Sequence, residues 1–215
     1  MSAVLQATFM NHRSFGRQFG DAYEGGFYAG QISTAGNGIA THNLVLAPKS
    51  SGESAAKQWK TSNTSTAGTG SVIDGATNSS NMNNASHPAA QFCEGLSIGG
   101  FSDWYMPALN EFEVCYYNLK PTAASNYTSS GINANAVPAR SSNYTSGNPA
   151  QTSAGAFQSG NAEAFNINNF WVSTEASATE GWAISISDGR QFGAGLGYFL
   201  KVYQPSVRAI RKVAV

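Results

Sequence analysis

The stretch Gly99-Gly100-Phe101-Ser102-Asp103-Trp104-Tyr105-Met106-Pro107, with residues 108–119 after it, constrains this chain most. Two adjacent glycines predict a sharp turn. The aromatic run Trp104-Tyr105-Met106 predicts a short buried strand. Pro107 stops that run and can open a helix, because its fixed φ suits a first turn, where no amide donor is needed. Phe112, Cys115, Tyr116 and Leu119 then fall at i, i+3, i+4 and i+7, one apolar helix face of about two turns. The expectation is turn, strand, then a packed helix around which the rest is arranged.

Composition narrows what such a core can serve. A chain of 215 residues can bury one full domain, or one domain with a small appendage. Its 12 Lys plus Arg balance 12 Asp plus Glu, and only 11% of residues are charged, against about 25% in ordinary globular chains. Ser, Thr, Asn and Gly take their place. A neutral surface argues against nucleic-acid binding, which wants a basic stripe, and against attraction to an anionic membrane. The 12% aromatic content is too high for a disordered chain. No apolar run approaches the roughly 20 residues of a membrane span. The first residues lack the basic region and long apolar stretch of a secretory signal, so export by the general pathway is not expected. Asn-x-Ser/Thr triplets, among them those at Asn63, Asn78, Asn126 and Asn143, then read as chance.

In chain order, residues 1–22 form a candidate N-terminal arm. Phe9, Phe15 and Phe19 sit among His12, Arg13 and Arg17 with no clean period. The arm could pack on another subunit, or it could be an ordinary first strand and loop. From residue 23 a domain running to 215 is expected. Residues 25–32 and 42–47 read as a strand pair around the Gly36-Asn37-Gly38 turn. Ala89, Phe92, Cys93 and Leu96 predict a first helix, with Pro88 in its first turn, Ser86 or His87 as cap and Gly95 at its exit. Cys93 and Cys115 read as buried thiols acting as small hydrophobes, with an interhelical disulfide as the alternative. After Pro121, residues 121–169 are dominated by Ser, Thr, Asn, Ala and Gly. The peptide Ser-Asn-Tyr-Thr-Ser occurs twice there, at 125–129 and 142–146. This polar insertion is either solvated or a presented binding surface carrying Tyr127 and Tyr144. The last segment reads as β: residues 170–173, 182–187, an Asp188-Gly189 hairpin turn, a return from Gln191-Phe192 loosened by glycines, 200–202 and 206–211.

These motifs carry a resemblance. Gly100-Phe101-Ser102-Asp103-Trp104-Tyr105-Met106-Pro107 with Glu111-Phe112 resembles the Gly-Tyr-Ser-Asp-Trp-Arg-Leu-Pro-Thr…Glu-Leu signature of the Lcl-type C-terminal domain family. Phe170-Trp171-Val172-Ser173-Thr174-Glu175 resembles its Tyr-Trp-Ser-Ser-Thr-Glu. Trp182-Ala183 with Asp188-Gly189, and Val207-Arg208-Ala209-Ile210-Arg211, match later motifs in order. The resemblance spans roughly residues 23–213. It implies an α+β, C-type-lectin-like fold, two helices packed on irregular antiparallel sheets with long loops. Such domains occur in bacterial surface adhesins and tailed-phage virion proteins, and this chain looks most like the phage version. Two departures stand out. Tyr105 replaces the usual Arg, and Ala108 replaces the usual Thr or Ser cap, at a cost of roughly 1 kcal/mol unless another group caps the helix.

The residues offer no catalytic constellation. His12, His42 and His87 stand apart from any nucleophile motif, no Gly-x-Ser-x-Gly occurs, and Glu111 and Glu113 point to different helix faces. Clustered carboxylates for calcium are missing, and no cofactor is implied. The expectation is a non-enzymatic virion surface protein — tail-fibre tip, head fibre or decoration protein — that binds a host-surface glycan or protein and forms a homotrimer with other virion proteins as partners. The alternatives are a purely structural virion component and a bacterial adhesin. Tyr127, Tyr144, Phe192 and Tyr198 are the expected ligand contacts, since aromatic faces stack on sugar rings without charge or metal; the alternative for Phe192 and Tyr198 is that they face the core. Phe92, Trp104, Phe112, Trp171, Trp182 and Val207 are the expected core. Arg208 and Arg211 should be structural, tied to carboxylates such as Asp103 or Glu111.

Overall fold

The computed structural model describes residues 16–195 and 198–215. It is a mixed α and β architecture with four α-helices among the described residues and antiparallel, curled sheets. Strand β1 (Ala22–Tyr23) pairs antiparallel with β2 (Gly26–Ile32), and β2 pairs with β3 (His42–Leu46), the hairpin expected from the sequence. The short helix α1 (Lys49–Gly52) leads to β4 (Glu53–Ser54). Helices α2 (Gly75–Asn81), α3 (Pro88–Glu94) and α4 (Leu109–Leu119) follow. Then come β5 (Ala136–Val137), β6 (Asn169–Glu175), β7 (Gly181–Ser185), β8 (Gln191–Phe192), β9 (Val207–Arg208) and β10 (Ile210–Ala214). The first sheet has the order β1-β2-β3-β10, with β5 also on β2; β4 pairs β9, and β6-β7-β8 form a third sheet.

The opening stretch is central, as expected, but residues 104–106 make a single β-bridge through Tyr105 in place of the expected strand. Gly99 and Gly100 hold φ of 64° and 85°, a turn that side chains with a Cβ would strain. Tyr105 exchanges both backbone hydrogen bonds with Ile210, at 2.8 and 3.0 Å. Because side chains alternate along a strand, each strand here feeds two cores. Leu44, Leu46, Tyr105, Phe170, Val172 and Ile210 pack with α4 on one side. Val45, Ala47, Trp104, Met106, Trp171 and Ala209 pack with Trp59, Met82 and the α3 residues Ala89, Ala90 and Cys93 on the other.

Helix α4 shows why periodicity alone understates burial. The predicted face Phe112, Cys115, Tyr116 and Leu119 is fully buried, but Glu111, Glu113 and Val114 are buried too. The missing cap is supplied from elsewhere. The Thr174 hydroxyl of β6 accepts the Leu109 N–H at 3.1 Å, and Glu111 Oε2 accepts the Ala108 N–H at 2.8 Å. Tyr105, standing where the resemblance has Arg, donates its hydroxyl to Glu111 Oε1 at 3.0 Å.

The expected core is right for Trp104, Phe112, Trp171 and Val207, all 0–1% exposed. Phe92 and Trp182 are only partly buried. The buried face of α3 is set by Ala89, Ala90 and Cys93, leaving Phe92 at its edge with the Lys57 ammonium 5.6 Å from its ring centre. Trp182 lies over Gly193, where a Cβ would collide with its indole. Trp59, unassigned by periodicity, is fully buried and donates its indole N–H to the Val172 carbonyl at 2.9 Å. Cys93 and Cys115 are free buried thiols in different clusters. Helix α2 was unexpected because its sequence, Gly-Ala-Thr-Asn-Ser-Ser-Asn, has no apolar period; Asp74 caps it through the Thr77 N–H at 3.3 Å.

Two further expectations fail on contact with the fold. Of residues 200–202 only Leu200 is β, in a single bridge to Glu180; Lys201 and Val202 turn away, and the buried Lys201 ammonium gathers the Thr64 and Ala178 carbonyls and the Glu175 carboxylate. The final run is split at Ala209 between two sheets, β9 on β4 and β10 on β3. Of the arm, Phe9, Phe15, His12 and Arg13 lie outside the described residues. Phe19 is 46% exposed and stacks on Tyr28, with ring centres 5.8 Å apart.

Candidate functional site

The 121–169 segment is neither a solvated insertion nor a free presented surface. Ala136, Tyr144, Phe157 and Phe165 from it lie in the α4-side core. Its strand β5 extends the first sheet. Phe157 meets Phe27 edge-on at 5.3 Å, and Phe165 meets Phe112 and Phe170 edge-on at 5.7 and 5.6 Å.

The repeated pentapeptide shows how the segment is built. Its two copies are joined by backbone bonds, Asn126 N–H to the Ser146 carbonyl at 2.9 Å and Tyr144 N–H to the Ser130 carbonyl at 2.7 Å. Their tyrosines have opposite fates. In the first copy Asn126 is buried, accepting from the Tyr116 hydroxyl and donating to the Pro149 carbonyl, while Tyr127 is 37% exposed. In the second copy Asn143 is exposed and Tyr144 is buried.

Tyr144 is therefore not a surface contact, as the sequence suggested, but the support beneath one. Its hydroxyl donates to Glu113 Oε1 at 2.6 Å. Asn133 Nδ2 reaches Glu113 Oε2 at 2.6 Å, and Arg140 forms an ion pair with the same carboxylate. Burial pushes the Glu113 carboxyl up, and Arg140 and the hydrogen bonds oppose that rise. The Tyr144 ring lies against Gly131 and Gly189, at both of which a Cβ would overlap it. Gly189, at φ 74°, also provides the positive φ of the hairpin turn between β7 and β8.

On that support two distant segments meet. The Tyr127 N–H donates to the Asp188 carbonyl at 2.8 Å, and the Gln191 N–H donates to the Ser130 hydroxyl at 3.1 Å. These bonds fix the loop carrying Tyr127 beside the return strand carrying Phe192. Phe192 meets Tyr198 edge-on at 5.9 Å, and Tyr198 is 56% exposed. Three of the four expected ligand contacts thus form one aromatic face.

Sequence reasoning missed the residue at its centre, Arg190. Its guanidinium carbon lies 4.8 Å from the Tyr127 ring centre, 4.7 Å from Phe192 and 5.8 Å from Tyr198. The signal was available: Arg190 directly precedes β8 and stands two residues before Phe192, a spacing that on extended backbone puts both on one face.

The remaining polar candidates are structural. Arg211 grips Asp103 with two bonds, Nε to Oδ1 at 2.7 Å and Nη2 to Oδ2 at 2.9 Å, as expected. Arg208 does not meet Asp103 or Glu111. It donates to the Ala47 carbonyl at 2.9 Å and to the Glu163 carbonyl and carboxylate, each at 2.8 Å, with Glu53 at 3.5 Å. Glu111 is instead faced by Lys212 at 3.4 Å. A separate cavity of about 410 Å³ opens between residues 18–21 and 153–156; Asp21 is the one ionisable group in its lining, and it shares no residue with the aromatic face. Among the described residues, no helix is long and apolar enough to cross a membrane. No known family model matches this sequence, and a comparison with curated proteins finds no match.

Proposed function

We propose that this chain is a non-enzymatic virion surface protein of a tailed phage, with a C-type-lectin-like domain that attaches to a host-surface glycan through the Tyr127–Phe192–Tyr198 face. The virion assignment rests on the resemblance of the 100–107, 170–175 and 207–211 motifs to the Lcl-type family. The fold assignment is supported by the return of β10 into the sheet of β1–β3 and by the long loops between α4 and β6.

One observation carries the binding assignment: rings from segments more than sixty residues apart are brought together at the surface by one backbone bond and one backbone-to-hydroxyl bond between those segments. Exposed apolar side chains scattered singly need no explanation, whereas a fixed, contiguous aromatic face does. Such a face can lie on the C–H surface of a sugar ring without metal or net charge. Tyr127→Ala and Tyr198→Ala should leave the melting temperature nearly unchanged, since both rings are exposed. Each should weaken adsorption of the pure protein to host cells about five- to thirty-fold, the effect of losing roughly 1–2 kcal/mol at a contact. Unchanged adsorption in the double variant would sink the assignment.

The homotrimer belongs to the same proposal. Its physical support is Phe19, nearly half exposed at the end of the arm beside the cavity. Light scattering at micromolar concentration should return three chains of 22.5 kDa; a single chain would count against it.

A further inference from the structure

We infer that the ligand of the aromatic face is an acidic sugar, a pyranose whose carboxylate is gripped by the Arg190 guanidinium while its ring lies against Tyr127 and Tyr198. This rests on the glycan-binding reading above and narrows it to one substrate class.

The argument starts from what Arg190 lacks. A guanidinium offers five N–H donors and is always charged. Three other arginines turn donors inward onto acceptors: Arg208 on Ala47 and Glu163, Arg211 on Asp103, Arg140 on Glu113, whereas Arg17 lies against the Tyr23 and Tyr28 rings. The Arg190 side chain has no hydrogen-bond acceptor or ion-pair partner among the described residues; its recorded neighbours are the three rings. The nearby carboxylate in the turn, Asp188, uses Oδ1 to accept the Arg190 backbone N–H at 3.1 Å and does not pair with the guanidinium.

The rings hold the cation in place without consuming its donors. Aromatic faces attract a guanidinium through their quadrupole, and stacking restricts the long side chain before any ligand arrives. What remains is a planar fork of N–H groups at the centre of an apolar surface. That geometry matches a carboxylate, which accepts two parallel bonds from arginine. The surrounding rings match the apolar face of a sugar. A neutral glycan would leave the guanidinium unpaired as it was covered, which is unfavourable. Arg17 and Lys57 also lie against rings, but each against one or two; Arg190 is the described cation that faces three, in a chain with only 11% charged residues.

The test is a printed array probed with the full chain. It holds neutral, carboxylate-bearing and sulfated oligosaccharides, with each carboxylate-bearing glycan also present as its methyl ester. Carboxylate-bearing glycans should bind roughly tenfold or more above their esters, the effect of one charged hydrogen-bonded pair. Arg190→Gln should lower the acids to the level of the esters, Arg190→Lys should keep part of the preference, and both should melt like the parent. The inference is overturned if esters bind as well as acids, if sulfated or neutral glycans are the ones bound, or if Arg190→Gln keeps the preference. In those cases the aromatic-face reading still stands provided Tyr127→Ala removes the signal. Binding indifferent to both Tyr127→Ala and Tyr198→Ala, or an array with no signal in any class, overturns both readings.

Discussion

Replacing residues 121–169 with a Gly-Ser connector is expected to abolish cooperative unfolding. By composition the segment looks dispensable. Its few large apolar residues, however, are placed at the centre: Phe157 and Phe165 are 0% and 2% exposed, and Tyr144 is 4% exposed. Truncating one buried aromatic typically costs about 3–5 kcal/mol. Removing three at once costs about 9–15 kcal/mol, before the edge strand β5 is counted, which is as large as the 5–15 kcal/mol that holds a typical domain together. The deletion also strips Glu113 of Tyr144, Asn133 and Arg140, leaving a buried carboxylate without partners. Circular dichroism of the shortened chain should show no sigmoidal thermal transition. A retained two-state melt would mean that the 121–169 core contacts do not support the fold.

Arg208→Ala should cost about 3–5 kcal/mol, because it leaves two inward carboxylates without their counter-ion. The side chain is fully buried, and its guanidinium ties the start of β4 and the Ala47 carbonyl to Glu163 near the end of the insertion. It also lies 5.1 Å from the Phe165 ring centre and 5.7 Å from that of Phe157. Arg208 is thus the rivet between the insertion and the rest of the domain. The loss should depend on pH in a defined direction. Burial already raises the Glu53 carboxyl while Arg208 lowers it, so removing Arg208 lifts it further. A carboxyl raised in the folded state favours folding below its unfolded value and loses that contribution as pH rises through the folded one. The variant should therefore be less destabilised at pH 5 than at pH 8. Adding Glu53→Gln and Glu163→Gln should recover part of the loss. Urea melts of the single and triple variants measure both effects, and an Arg208→Ala cost below about 1 kcal/mol would show that the cluster is not a rivet.

The features legible in the sequence are those fixed by local chemistry. The paired glycines, the buried run at 104–106 with its single β-bridge, the opening of α4 after Pro107, the β2–β3 hairpin and the Asp188-Gly189 turn all follow from backbone preference or from apolar spacing on one element. Three aromatic members of the candidate site were named from the sequence too, but the same reasoning took in Tyr144, whose ring is core. Helix α2 was not legible, since it lacks a period and owes its start to one Asp cap. The cap of α4 was invisible because its donor, Thr174, lies 65 residues away. The partner of Arg208 was misread for the same reason: Glu163 belongs to a stretch that local composition marks as loop.

The two copies of Ser-Asn-Tyr-Thr-Ser draw the boundary most sharply. By itself the sequence determined that each copy would be irregular, polar backbone carrying one amide and one ring. It could not determine which of the two would turn inward. In the first copy the amide of Asn126 is taken up by Tyr116 and Pro149, so the ring of Tyr127 points out to the site. In the second, the ring of Tyr144 is taken up by Glu113 and by the space above Gly131 and Gly189, so the amide of Asn143 points out. Adjacent side chains on extended backbone face opposite ways, and a buried polar group must find a partner. The choice therefore falls to whichever partners the rest of the fold has already placed beneath the loop, and only the tertiary structure places them.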